Sequence, residues 1–161
     1  MQTSRIVSSR LAYGRLLAVT LISIFALPAI ARTAEPWTKA QLVTPEQLSV
    51  RLADAKTPKP LILCVGFRVL YDAGHVPGSE FYGPASKPAG LEQLKKKLEP
   101  LPRGKEIVLY CGCCPVEECP NIRPAFEAAR KMGFTHLKLL DLPTNFAKDW
   151  ADKGFPIAKS N

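Results

Sequence analysis

Four of the chain's five cysteines fall within nine residues, in the segment Tyr110-Cys111-Gly112-Cys113-Cys114-Pro115-Val116-Glu117-Glu118-Cys119-Pro120. A thiolate is both a strong nucleophile and a soft metal ligand, so the density of sulfur marks this segment as the place where chemistry is done. The apolar run Ile107-Val108-Leu109-Tyr110 directly before it reads as a buried strand. A thiol at the C-terminal end of such a strand, in a loop that opens onto a helix, meets backbone N–H groups and a helix dipole that favour its ionised form. Open α/β sheets bind their ligands along that edge. Asn121 and Arg123 follow the loop, where each could donate to an anion or simply cap the next helix.

The same residues admit other uses. Cys111 to Cys114 is a C-x-x-C, and Cys111, Cys113, Cys114 and Cys119 together offer enough sulfur for tetrahedral zinc or for Cu(I). Adjacent Cys113 and Cys114 are poorly placed to share one ion, and Pro115 and Pro120 stiffen the loop. In an oxidising compartment the four could instead form disulfides, for which three pairings exist. Such bridges could be structural, or one could be catalytic given a low-pKa sulfur and a resolving partner.

The N-terminus argues for an oxidising compartment. Arg5, Arg10 and Arg15 precede an uncharged run from Leu16 to Ala31, and Ala29-Ile30-Ala31 is a small-x-small cleavage signal. At about sixteen residues the run is shorter than the roughly twenty needed to span a bilayer, so it reads as a cleaved signal peptide over residues 1–31. The expected location is the periplasm or outside, with no membrane attachment after cleavage. Loss of residues 1–31, which carry those arginines and no acid, lowers the formal net charge from +8 to +5. That mild excess, with no arginine stripe interleaved with aromatics, gives no reason to expect nucleic acid; Lys95-Lys96-Lys97 reads as the wet face of a helix.

About 130 residues then remain, enough for one domain with a real core. Thr33 to Lys39 reads as a loose lead-in within residues 32–39, and the domain as residues 40–161. Thr44, Pro45 and Gln47 form a capping box with proline at the first helical position, and Val43 with Leu48 can make a hydrophobic staple. Strand segments are expected at Gln41–Val43, Leu61–Val65, Glu80–Tyr82, Ile107–Tyr110 and Leu137–Leu140. Between them fall helical patterns: Val69–Ala73 ended by Gly74, the Leu91–Leu94–Leu98 stripe, a helix opened by Pro124 and ended by Gly133, and a last one carrying Phe146 and Trp150. Strands alternating with helices at such spacing argue for an α/β fold: an open parallel sheet of about five strands with helices on both faces.

The segment Tyr71-Asp72-Ala73-Gly74-His75-Val76-Pro77-Gly78 resembles the Y-x-x-G-H-I-P-G signature of rhodanese-like domains. Cys64-Val65-Gly66 stands where that family has Asp-Val-Arg. Cys111 stands after the strand where its active cysteine sits, and Gly133-Phe134 with Trp150 to Pro156 resembles its closing G-F…W…G-x-P. The resemblance runs from Gln41 to Ile157. It implies a single rhodanese-like domain, a sulfurtransferase whose cysteine takes a sulfane sulfur from a small anionic donor such as thiosulfate or polysulfide. The persulfide then passes to a thiol or another thiophilic acceptor, with no cofactor required. Gly74, His75, Pro77 and Gly78 are then residues of the fold signature, and His75 a structural one.

Two departures bear on the site. The interval from Cys111 to Pro124 is far longer than the family's loop, and it carries Glu117 and Glu118, which would raise a thiol pKa and repel thiosulfate if they faced inward. The Asp and Arg of Asp-Val-Arg are replaced by Cys64 and Gly66, removing an ion pair. Alignment from the strand selects Cys111 as nucleophile, with Gly112, Cys113 and Cys114 as its loop. Alignment from the helix selects Cys119. Cys111 is preferred because strand ends are held by the sheet and an insertion belongs in the loop. A cysteine phosphatase would need an arginine closing the loop, but at that spacing Cys111 is followed by Glu117, Cys113 by Cys119 and Cys114 by Pro120. The surviving alternative is a noncatalytic fold whose cysteine loop binds zinc or copper, or forms disulfides, in a partner-binding role. Cys64, inside an apolar strand, reads as a buried small hydrophobe.

Overall fold

Thr44 opens the first helix as the capping box requires: its hydroxyl accepts from the Gln47 N–H at 3.2 Å, and its own N–H donates to the Gln47 carboxamide at 3.0 Å. The computed structural model describes residues 34–160, so the leader expected over residues 1–31 and its cleavage after Ala31 lie outside the described residues. Five strands alternate with four α-helices: β1 (Leu42–Val43), α1 (Pro45–Ala53), β2 (Leu61–Cys64), α2 (Arg68–Ala73), β3 (Glu80–Phe81), α3 (Pro88–Leu98), β4 (Ile107–Tyr110), α4 (Ile122–Lys131) and β5 (Leu137–Leu140). A 3-10 turn at Val116–Glu118 lies in the cysteine loop, and a π-helical turn at Ala147–Ala151 closes the chain. The sheet is wholly parallel in the order β1-β5-β4-β2-β3.

β4 lies at the centre of that order, and all its residues are buried. Because successive side chains point to opposite faces, Ile107, Leu109 and Cys111 join one core with Leu94 and Leu98 of α3 and Ile122, Phe126 and Ala129 of α4. Val108 and Tyr110 join the other core with Leu48 of α1, Tyr71 of α2 and Trp150. Helices therefore cover both faces. Truncating Leu109 or Phe126, both wholly buried, to alanine would cost about 2–5 kcal/mol.

Three local expectations need correction. α4 begins at Ile122, with Pro124 in its first turn rather than opening it; proline is tolerated there because that N–H has no intrahelical partner. The last helical segment is a single π turn, with Phe146 as its cap and Trp150 wholly buried. The lead-in is not loose: Trp37 is buried edge-on against Phe126, with ring centroids 5.7 Å apart, and Thr38 caps a 3-10 turn at Lys39–Gln41.

The signature segment folds back on the end of β4. Tyr110 Oη accepts from the Val76 N–H at 3.3 Å and pairs with Ser79 Oγ at 3.0 Å. His75 stacks on Tyr71 at 3.8 Å between ring centroids, and its Nδ1 donates to the Tyr71 carbonyl at 2.7 Å. Its backbone pairs with Ala158, tying the chain end to this turn. His75 thus holds backbone to backbone. His75→Ala should lower unfolding free energy by about 1–3 kcal/mol, since it strips a buried hydrogen bond and a ring stack. Denaturant titration should show that loss while the cysteines of the folded protein react at unchanged rates; a variant as stable as the parent contradicts this role.

Candidate functional site

The cysteine loop leaves β4 at Cys111 and rejoins regular structure at α4. Two backbone contacts hold it: the Val116 N–H donates to the Leu142 carbonyl at 3.3 Å, and the Phe146 N–H to the Gly112 carbonyl at 3.0 Å. Gly112 takes φ +84, and a Cβ there would lie 3.0 Å from Phe146 Cβ. Only glycine adopts that backbone readily. The turn it makes brings Cys113 Sγ back to 3.2 Å from Cys111 Sγ. Cys113 Sγ is in turn 2.9 Å from Cys114 Sγ and 3.9 Å from Cys119 Sγ. All five cysteines are free thiols.

Burial divides the cluster. Cys111 and Cys119 are buried, whereas Cys113 and Cys114 are half-buried. Asn121, with no exposed surface, donates from Nδ2 to Cys111 Sγ at 3.3 Å and accepts the Ser86 N–H on Oδ1 at 3.0 Å. Asn121 thus serves a sulfur and a neighbouring loop at once. Arg123 is engaged elsewhere: its guanidinium pairs with Glu35 at 2.7 Å and lies over Trp37, binding the lead-in to α4. Glu117 and Glu118 are exposed on the 3-10 turn, where solvent and salt screen their charge. Cys64 lies within the β2 core, and burial pushes its thiol up to about 11.

The sulfurs share their ionisation. Cys119 is shifted down, to about 6, by the facing Cys111 thiol and by the N–H groups of Asn121 and Ile122 where α4 begins. Cys111 moves up, because a thiolate beside the Cys119 thiolate would be a second charge and because the site is buried; the Cys113 N–H opposes this weakly. Cys114 is also raised, by burial first. The helix start thus favours a charge on Cys119, and burial beside that sulfur disfavours a second one on Cys111.

Beside the loop lies a cavity of about 380 Å³, bordered by Cys111, Gly112 and Cys113 and walled by Leu70, Phe146 and Ile157. Among the described residues no charged side chain lines it. Gly66 marks another close approach: a Cβ there would lie 2.4 Å from the Cys111 carbonyl oxygen and 2.9 Å from its Sγ. The chain passes that near only without a side chain. Sequence reasoning missed Ser86 and the cavity walls, which carry no chemistry of their own.

The family model of the rhodanese-like domain matches residues 39–142. The chain belongs to this family. Among solved structures, the rhodanese-like domain of an Anabaena protein is 22% identical, with 74% of this chain and 80% of that one covered at a TM-score of 0.55. A Saccharomyces cerevisiae single-domain sulfurtransferase is 20% identical, with 71% and 90% covered at 0.52. A Helicobacter pylori protein is 15% identical, with 75% and 91% covered at 0.51. These likenesses establish the fold. No match was found among curated proteins.

Within this rhodanese-like domain, the sulfurs of Cys111, Cys113 and Cys119 all lie within 4.8 Å of one another, so these three could hold a soft metal ion. Sulfurs around tetrahedral zinc stand about 3.8 Å apart, given a Zn–S length of about 2.3 Å. The Cys113–Cys119 separation of 3.9 Å fits that, and the 3.2 Å between Cys111 and Cys113 is shorter. The trio would have to open slightly.

The ionisation of the pair predicts a pH response. Thiolate absorbance of the reduced folded protein should rise through pH about 6, well below the ordinary thiol value of about 8.5. The lowered Cys119 by itself stabilises the fold above the unfolded thiol range, where the raised Cys111 and Cys114 thiols oppose it. That contribution is lost as pH falls through about 6. Cys119→Ser should erase the low-pH step; its persistence in that variant would place the charge on another sulfur.

Proposed function

We propose that the chain takes up sulfane sulfur as a persulfide on Cys111, working outside the cytoplasm after export. The observation that carries this reading is the buried Asn121 amide aimed at Cys111 Sγ at 3.3 Å, at the end of the central strand of a rhodanese-like domain. A persulfide is a charged product that needs such donors once it is removed from water. Cys119 supplies the base. As Cys111 attacks the donor's outer sulfur, its proton passes to the facing Cys119 thiolate; the donor's S–S bond breaks and its inner sulfur leaves as a thiolate with the bonding pair.

The cavity supports a donor class. Moving a thiosulfate dianion into a space lined by Leu70, Phe146 and Ile157 strips water from two charges and returns no cation. An organic persulfide, with a carbon group to bury and a single charge at sulfur, fits it better. Thiols are the expected acceptors.

The reduced protein should gain the mass of one sulfur atom on mixing with an organic persulfide, at least about tenfold faster than with thiosulfate. Cys111→Ser should lose the gain. Cys119→Ser should keep it at a lower rate, with its pH dependence displaced upward. Sulfur uptake that survives in Cys111→Ser and vanishes in Cys119→Ser would identify Cys119 as the acceptor instead. A second reading rests on the three sulfurs that lie within 4.8 Å of one another: a noncatalytic domain that holds zinc or copper for a protein partner. Stoichiometric metal in the purified protein, lost alike in Cys111→Ser, Cys113→Ser and Cys119→Ser, would establish that reading.

A further inference from the structure

The Cys113 side chain is unused by sulfur uptake, yet its sulfur lies 3.2 Å from Cys111 Sγ. The positive φ of Gly112 creates this approach, and the bond from the Phe146 N–H to the Gly112 carbonyl holds it. Cys113 is only partly buried and borders the cavity, which gives an outside thiol a route to it. A carrier that only stores sulfur and hands it on gains nothing from a second thiol here. An adjacent thiol competes with every outside acceptor, and it does so at the effective concentration of a group already in place.

Building on the uptake reading above, we propose that Cys113 resolves the Cys111 persulfide, so that the site reduces sulfane sulfur to sulfide instead of transferring it. Cys113 Sγ attacks the inner sulfur, Cys111 Sγ. The Sγ–Sγ bond forms and the bond to the outer sulfur breaks. That outer sulfur leaves as hydrosulfide with the bonding electron pair and the Cys113 proton. The sulfane sulfur is reduced and the two cysteine sulfurs are oxidised to a Cys111–Cys113 disulfide. A dithiol reductant, as a small molecule or a protein, then attacks the accessible Cys113 sulfur, restores both thiols and departs as its own disulfide. Cys114, at 2.9 Å from Cys113 but outside that exchange, is a flanking thiol.

The test uses the reduced mature chain and a stoichiometric amount of cysteine persulfide with no reductant present. Released sulfide and intact mass are followed together, and peptide mapping locates any new bond. The wild type should release about one sulfide per chain and end lighter by the hydrogens of two thiols, with the bond mapped to Cys111 and Cys113. Cys113→Ser should keep the added sulfur and release sulfide at least about tenfold more slowly. Cys114→Ser should behave as the wild type. A wild type that keeps its persulfide, releases no sulfide and yields the sulfur to cyanide overturns the reductase proposal while leaving the uptake reading intact. A wild type that acquires no sulfur from the donor overturns the uptake reading itself. Sulfide release from Cys113→Ser at the wild-type rate, with a disulfide mapped to Cys119, overturns the choice of Cys113.

Discussion

The carboxamide of Asn121 is the contact on which the site turns. It is wholly buried, and it spends both of its ends: the amide on Cys111 Sγ, the carbonyl on the Ser86 N–H of the segment leading into α3. An amide in that position fixes the start of α4 relative to the end of β4, two points that the long loop between them would otherwise leave free. A buried polar side chain persists only when its donors and acceptors are matched, so the register between helix and strand is set by chemistry as much as by packing. Replacing it with a residue that can serve only one of the two partners would leave the other desolvated and unpaired.

Around that contact the loop solves a problem of charge. Four sulfurs in close proximity cannot all ionise, and the two acids of the loop could have made matters worse. The 3-10 turn disposes of the second difficulty by pointing Glu117 and Glu118 into solvent. The first is met by favouring charge on the sulfur nearest the N–H groups of Asn121 and Ile122 and disfavouring it on Cys111 opposite. Local backbone, not a distant cation, does the stabilising; Arg123, the nearest candidate by sequence, is occupied by Glu35.

Most of the fold was legible because its signals are local. The Thr44–Gln47 box, the continuous apolar β2 and β4 and the leucine stripe of α3 all state their structure within a few residues. The misreadings involve partners far apart in sequence. Trp37, for example, looks like part of a loose lead-in until Phe126, far along the chain, is known to lie against it. The site divides in the same way. That the cysteines mattered, and which strand carried Cys111, could be read from spacing. Which sulfur holds the charge could not, because it depends on how a long loop folds back onto a helix end. Asn121 was visible as a possible donor, but its direction was not: the sulfur, and not an outside anion, receives its amide.

Gly66 sets a steric condition on the site. Its missing side chain is what lets the Cys111 carbonyl and sulfur sit against the turn after β2, with a Cβ position only 2.4 Å from that carbonyl. In the family pattern that this segment resembles, an arginine stands at this place. A side chain of any kind here would have to push the Cys111 backbone away from the turn, so the seat of the sulfur and the bareness of residue 66 are one constraint, written at two places in the chain.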